Sequence, residues 1–227
     1  MPATEGVLFD YGRTLVTFAK YPKECILGVL HALLPRSDAE TILRDVLLPL
    51  ESYVSSTSLD EVDYEDVYRH AWRRAGLQVE DGVLHEVLDH EQQCWDRSVR
   101  LDPDAARALE RLKQRGIKRG ICSNAPFPPA MMRRQLDRNG IFGMVEGVVF
   151  SSEVGRRKPA RELYLAALDA IGVAPERTLF VGDRVREDYE GPVALGMRAV
   201  LVTAHAEEPP PDGVPTIRSL GELESVL

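Results

Sequence analysis

Apolar and polar positions along the chain fall into three textures. Gly6-Val7-Leu8-Phe9-Asp10 is a short apolar run closed by a carboxylate and soon followed by Gly12. Its length and its Val and Phe predict a buried strand and then a turn. Residues 17–98 show no strand pattern. Their apolar residues recur at three- and four-residue spacing, as Ile26, Leu27, Leu30, Leu33 and Leu34, then Ile42, Leu43, Val46, Leu47 and Leu50. Val67, Ala71, Trp72 and Ala75 make a third stripe, and Val83, Val87, Leu88 and Trp95 a fourth. Each stripe is one face of a helix. Asp38 and Asp63 suit N-caps, and Gly76 suits the stop of the third helix. Four helices with short connections predict a small bundle, with Trp72 and Trp95 in its core.

From residue 101 onward helix and strand patterns alternate. Helices are expected over 103–115, 130–138, 160–171 and 189–195, each stopped near a glycine (Gly116, Gly140, Gly172, Gly196). Strands are expected over 117–122, 147–150, 178–181 and 198–202, with a weak one at 214–217 before a short helix from Leu220. Such alternation forces parallel pairing with helices on both faces, and residues 6–10 supply a further strand. The expected fold is α/β, a doubly wound parallel sheet built from 1–16 and 99–227. Residues 17–98 are then a helical insertion after the first strand. Glu207–Pro211 is a polar, Pro-rich surface loop.

With 227 residues the chain is long enough for one core and such an insertion. Its longest apolar run, Cys25 to Pro35, is interrupted by His31 and falls well short of the ~20 residues a bilayer helix needs. The strand pattern starts at Gly6, too early for a signal core, so a cytoplasmic protein is expected. Cys25, Cys94 and Cys122 lack metal or disulfide spacing and are expected as reduced thiols. A net charge of −8 argues against nucleic acid as a partner.

In an open parallel sheet, ligands bind beyond the carboxyl ends of the strands. Asp10 stands at one such end, with Tyr11-Gly12-Arg13-Thr14 after it. Ser123-Asn124 stand at another, and Gly182-Asp183 at a third, with Asp188 five residues on. Lys158 is expected to open the helix after the 147–150 strand. Asp10, Asp183 and Asp188 placed together repel unless a cation neutralises them. Hard oxygen donors suit Mg²⁺. Asp10 is a candidate phosphoryl acceptor, Ser123 a donor to a phosphoryl oxygen, and Lys158 a point positive charge. Glycines at 12 and 182 let backbone amides approach an anion.

The pattern resembles the haloacid dehalogenase superfamily of phosphohydrolases, in the branch with a helical cap after the first strand. Four motifs carry it in order: Leu8-Phe9-Asp10-Tyr11-Gly12-Arg13-Thr14; Ile121-Cys122-Ser123-Asn124; Gly155-Arg156-Arg157-Lys158-Pro159; and Val181-Gly182-Asp183 with Asp188. The resemblance implies that Asp10 is the nucleophile of an aspartyl-phosphate intermediate. It implies that Asp10, Asp183, Asp188 and the Gly12 carbonyl hold Mg²⁺. Ser123 and Lys158 would bind phosphate, together with Asn124, Tyr11 and Gly12 of the same loops. Lys158 would also hold Asp10, and Thr14 would support its loop. The implied substrate is a small phosphorylated metabolite, with no membrane or nucleic-acid partner, and the protein a monomer or homodimer.

One position departs from the pattern. Most phosphatases of the superfamily carry a second aspartate, the general acid/base, where this chain has Gly12. Its loss weakens cleavage of alkyl phosphates more than of acyl or aryl phosphates, whose leaving groups need no proton. Dehalogenases lack that aspartate too but carry a different fourth motif. Phosphonate-cleaving members lack it and need a cap lysine, for which only Lys20 and Lys23 are present. A phospho-ligand-binding protein without turnover is the rival reading. Arg13 replaces a usually small residue and is either a solvated loop residue or a substrate contact. His85 and His90 lie five apart, about 140° around a helix, and do not form a zinc pair. His205 is expected in a surface loop, Cys122 as a packing thiol, and the Arg73-Arg74, Arg133-Arg134 and Arg156-Arg157 pairs on solvated faces.

Overall fold

Val7, Leu8 and Phe9 alternate between two apolar layers, and this places the first strand at the centre of the sheet. β1 (Gly6–Phe9) is fully buried. It pairs in parallel with β4 (Lys118–Ser123) on one side and β6 (Thr178–Gly182) on the other. Phe9 lies opposite Ile121 and Val181. β5 (Gly147–Phe150), β7 (Arg198–Val202) and β8 (Thr216–Ile217) complete the order β5-β4-β1-β6-β7-β8, all parallel. The computed structural model describes residues 3–18, 23–33, 39, 44, 58–74, 76–78 and 80–227.

Val7 and Phe9 pack with Leu109, Leu112 and Leu136 on one face of the sheet. These come from α4 (Ala105–Gln114) and α5 (Pro129–Arg138). Leu8 packs on the other face with Leu163, Tyr164, Leu168 and Phe180. Three of these belong to α7 (Arg161–Ile171), which Gly172 closes in the left-handed region at φ 66°. Burying each large apolar side chain contributes ~1.5–3 kcal/mol, so a strand apolar on both faces is held centrally. A parallel sheet puts every carboxyl end on one rim, and the loops after β1, β4, β6 and β7 meet there.

Among the described residues, three helices with defined bounds lie between the two ends of a short antiparallel ribbon. α1 (Lys23–Leu33), α2 (Tyr64–Arg74) and α3 (Asp81–Ser98) share an apolar cluster that includes Ile26, Leu30, Tyr68, Trp72, Leu84 and Val87. Asp63 caps α2 by accepting the Asp66 N–H at 3.1 Å, and Gly76 follows it at φ 74°. The stripe from Ile42 to Leu50, with Asp38, Leu34 and Ala75, lies outside the described residues. The ribbon, β2 (Val16–Phe18) with β3 (Val99–Leu101), was not expected from the sequence. Three-residue strands are too short to show a period of two. β2 also crosses the expected boundary between residues 16 and 17.

Several expectations need correction. Cys25 and Cys94 are not reduced thiols but a disulfide between α1 and α3, with Cα atoms 5.8 Å apart at a sequence separation of 69. Linear spacing carries no sign of this, because helix packing alone brings them together. Cys122 is free and buried, and burial pushes its pKa up to about 12. The helix expected over 189–195 is instead a π-helical turn (Val185–Glu190) followed by α8 (Gly191–Ala194). Lys158 does not open α7. It sits in the loop between the short α6 (Ser151–Val154) and α7, where its bond to Pro159 is cis. Trp95 is half-buried at the edge of the helical cluster, its ring edge-on to Phe18 and Phe127. Arg157 is no solvated residue but is buried against Glu61, 3.2 Å away.

Candidate active site

The rim of the sheet gathers three carboxylates and one ammonium. Asp10 continues β1 by one residue, its N–H donating to the Val181 carbonyl at 2.8 Å. Asp183 follows the end of β6, and Asp188 sits in the π-helical turn beyond it. Tyr164 of α7 anchors that turn by donating its hydroxyl to the Glu187 carbonyl at 2.5 Å. A π-helical turn of this kind is frequent at functional sites, since it re-aims one side chain. Gly182 makes room for it. A Cβ there would collide with Asp188 carbon atoms, so only glycine lets the aspartate fold back on the strand end. The Asp188 Oδ2 atom accepts the N–H groups of Asp183 and Arg184, both at 3.0 Å.

Lys158 joins the set from the opposite side. Its Nζ donates to Asp10 Oδ1 at 2.7 Å and to Asp188 Oδ1 at 2.6 Å, and it lies 5.1 Å from the centroid of the Phe180 ring. Its side chain is 2% exposed. Burial works against the charged form, but Asp10 and Asp188 outweigh it and hold the lysine pKa well above its usual range. Asn124 sets the loop by accepting the Lys158 N–H at 2.7 Å and donating to its carbonyl at 3.3 Å. Ser123 ends β4 beside it, buried.

Oxygen atoms of Asp10, Asp183 and Asp188 all lie within 4.8 Å of one another. One ammonium does not balance three carboxylates. Burial first, and then Asp10 and Asp188, push the Asp183 carboxyl up to about 8. Burial is also the main cause that raises Asp188 to about 6, opposed by Lys158. Desolvated, mutually repelling hard oxygens are the donor set that a small divalent cation such as Mg²⁺ fits. Among the described residues this is the only cluster of its kind.

The remaining candidates divide. The Tyr11 side chain points away from the rim. Its hydroxyl accepts from Asn139 Nδ2 at 2.9 Å within the apolar layer, leaving only its main chain near Asp10. Thr14 is fully buried with its hydroxyl unpartnered. Gly12 lies under the Phe18 ring, where an added Cβ would meet ring carbons at 3.3 and 3.5 Å. Arg13 ion-pairs with Glu207. Lys23 is exposed at the start of α1, and Lys20 is outside the described residues. His85 Nε2 lies 3.9 Å from Glu65 Oε1, and the His90 ring contacts the Glu86 carbonyl at 2.8 Å. His205 contacts Asp102 at 3.0 Å.

The sequence reading missed a buried connection behind Lys158. Residues 59–61 run antiparallel to 155–157, with Arg157 N–H to the Leu59 carbonyl at 2.8 Å and Glu61 N–H to the Gly155 carbonyl at 3.0 Å. Glu61 accepts from Arg157 and from the Ser151 hydroxyl, and Ser151 Oγ accepts the Ala125 N–H at 2.7 Å. The pair is separated by 96 residues, so charges flanking Arg157 in sequence could not reveal it.

Comparison with known proteins bears on this geometry. Residues 5–196 match the model of a haloacid dehalogenase-like hydrolase family. A phosphoserine phosphatase of Thermus thermophilus is 33% identical over 164 residues, which span 72% of this chain and 63% of that protein. A glyceraldehyde 3-phosphate phosphatase of Methanothermobacter thermautotrophicus is 35% identical over 132 residues, 55% of this chain and 58% of that protein. The chain thus spans somewhat less than two thirds of the length of either relative. The crystal structure of a 2-haloacid dehalogenase from Pseudomonas syringae pv. tomato DC3000 superposes with a TM-score of 0.74 at 19% identity, covering 98% of this chain and 97% of that one.

Proposed function

Since the chain belongs to the haloacid dehalogenase-like hydrolases, we propose that it is a Mg²⁺-dependent phosphohydrolase of a small phosphorylated metabolite. The observation that supports this most is Lys158 held between Asp10 and Asp188, with Asp183 beside them. A nucleophilic carboxylate, an ammonium for the phosphoryl oxygens and a cation-binding acid pair are what phosphoryl transfer needs. Asp10, Asp183, Asp188 and the Gly12 carbonyl would hold the ion. When bound, it neutralises charge on the phosphoryl oxygens.

In this reading Ser123 and Lys158 bind the phosphoryl group, and Asn124 keeps the Lys158 loop in place. Lys158 orients Asp10, whose free oxygen attacks phosphorus. The phosphorus–oxygen bond to the leaving group breaks, and the leaving group departs with the electron pair. Water then attacks the phosphorus of the aspartyl-phosphate, releasing inorganic phosphate and restoring the Asp10 carboxylate. Residues 17–98 act as a cap over a core of 1–16 and 99–227, excluding water and selecting the substrate. The two curated relatives are named as phosphatases, which favours this chemistry over dehalogenation.

Turnover of an aryl phosphate is measured with and without Mg²⁺, beside an Asp10→Asn variant. Metal-dependent hydrolysis lost in the variant is expected. Phosphate binding without any turnover favours the rival, a phospho-ligand-binding protein, for which Gly12 is the motive. Gly12→Asp tests the missing acid. It is expected to raise kcat/KM on an alkyl phosphate by ~10²-fold or more and on an aryl phosphate far less. The Phe18 ring, 42% exposed, has room to yield to the new side chain. An equal gain on both esters rejects this account of Gly12.

A further inference from the structure

Three loops meet at the mouth of the site, and each brings one charged side chain there. Arg13 comes from the loop after β1, Arg184 from the loop after β6, and Glu207 from the loop after β7. Arg13 is one residue from Gly12 and three from Asp10, and Arg184 follows Asp183 directly. Glu207 spans the two guanidinium groups. Its Oε1 pairs with Arg13 Nη2, and its Oε2 lies 3.8 Å from Arg184 Nη2. The side chains are 33%, 35% and 58% exposed in that order.

Two features mark this cluster as more than a surface ion pair. Arg13 has φ 58°, the one non-glycine residue at positive φ among those described. Glycine adopts that conformation freely, whereas a residue with a Cβ is strained in it, and such strain gathers at functional positions. Here it aims a guanidinium at the rim. The second feature is the bridge itself, one carboxylate of a third loop reaching both guanidinium groups. The chain's own carboxylate shows what the pair binds. An exposed ion pair is worth little, so Glu207, on a polar Pro-rich loop, is readily displaced. A forked guanidinium matches a carboxylate in shape as well as charge, and Glu207 supplies one here.

We propose that Arg13 and Arg184 form a subsite for a carboxylate on the leaving group of the substrate, which Glu207 fills until the substrate arrives. The inference rests on the phosphohydrolase reading above and narrows it to phosphorylated carboxylic acids. Arg13 and Arg184 are then specificity-determining residues. The unprotonated leaving group gains a second benefit, since the guanidinium charges also oppose its developing negative charge.

The test uses two substrate pairs that are near-isosteric and differ chiefly in that charge: 4-carboxyphenyl against 4-carbamoylphenyl phosphate, and phosphoglycolate against phosphoglycolamide. The wild-type kcat/KM ratio, acid over amide, is expected at about tenfold or more, expressed mainly through KM. Arg13→Gln and Arg184→Gln should each lower the ratio, and Arg13→Lys should retain part of it. Glu207→Gln, which removes the competitor, should lower KM for the acids only. A merely structural role for Arg13 would change both members of a pair alike and leave the ratio unmoved. A wild-type ratio of one or less on both pairs, or a ratio unchanged in both Arg→Gln variants, overturns the subsite while the hydrolase reading stands. Absence of Mg²⁺-dependent turnover on all four compounds overturns the hydrolase reading, and the subsite with it.

Discussion

Asp183 shows at the scale of one residue why this site and a divalent cation suit each other. Its carboxyl is raised from 3.8 to about 8, chiefly by burial and then by Asp10 and Asp188. The folded protein thus holds a proton that the unfolded chain releases near pH 4. That contribution to stability is complete below the unfolded value and is lost as pH rises through about 8. Asp188, raised to about 6, acts in the same direction at lower pH. Metal-free protein in a chelator is therefore expected to lose thermal stability between about pH 4 and 8, and Mg²⁺ to restore it most strongly at pH 8 and above. Thermal midpoints across that range, with and without Mg²⁺, check this, and Asp183→Asn should flatten the metal-free profile. A metal-free midpoint that rises with pH in wild type and not in Asp183→Asn contradicts the assignment.

Elements decide how Lys158 is held. One strand end and a π-helical turn supply its carboxylate partners, but its own loop is braced from behind by the 59–61 segment. Glu61 and Arg157 have side chains only 2% and 4% exposed. Removing one member of a buried ion pair leaves an uncompensated charge and costs about 3–5 kcal/mol. Arg157→Met is expected to cost stability on that scale and to lower kcat, because the next residue is Lys158. Glu61→Gln combined with Arg157→Met should recover part of the stability, as no charge is then stranded. Denaturant midpoints of the two single variants and the double variant measure the coupling. A double variant as unstable as the sum of the singles rules out this bracing role. The same contact explains why residues 17–98 cannot be read as a free-standing bundle: one of their segments is stitched to the loop that carries the site's only buried ammonium among the described residues.

The whole molecule is tied together by features of high sequence separation. The Cys25–Cys94 disulfide closes a loop of about 70 residues, and in the chain-entropy view such a closure contributes up to about 4 kcal/mol. Reduction by a thiol is expected to lower the denaturant midpoint, and Cys25→Ser should show the lower midpoint without any further change on reduction. An unchanged wild-type midpoint after complete reduction, verified by thiol titration, rejects the contribution. Among the described residues no helix is long and apolar enough to cross a membrane.

Most of the sheet and the rim was legible in the chain itself. Short apolar runs such as Val7–Phe9 and Gly147–Phe150, with glycine stops after the helices, encode parallel β/α alternation locally, through burial and backbone preference. Parallel topology then forces Asp10, Ser123 and Asp183 to one edge without any knowledge of packing. What local pattern could not specify is everything that depends on how distant surfaces meet. The Cys25–Cys94 bond, the Glu61–Arg157 pair, the turn of Tyr11 into the apolar layer and the bridging of Arg13 and Arg184 by Glu207 are all of this kind. Each joins residues that touch in space but stand tens to well over a hundred apart in sequence. Periodicity reports which face of an element is apolar, and only the packing of one element on another decides which polar groups are paired there.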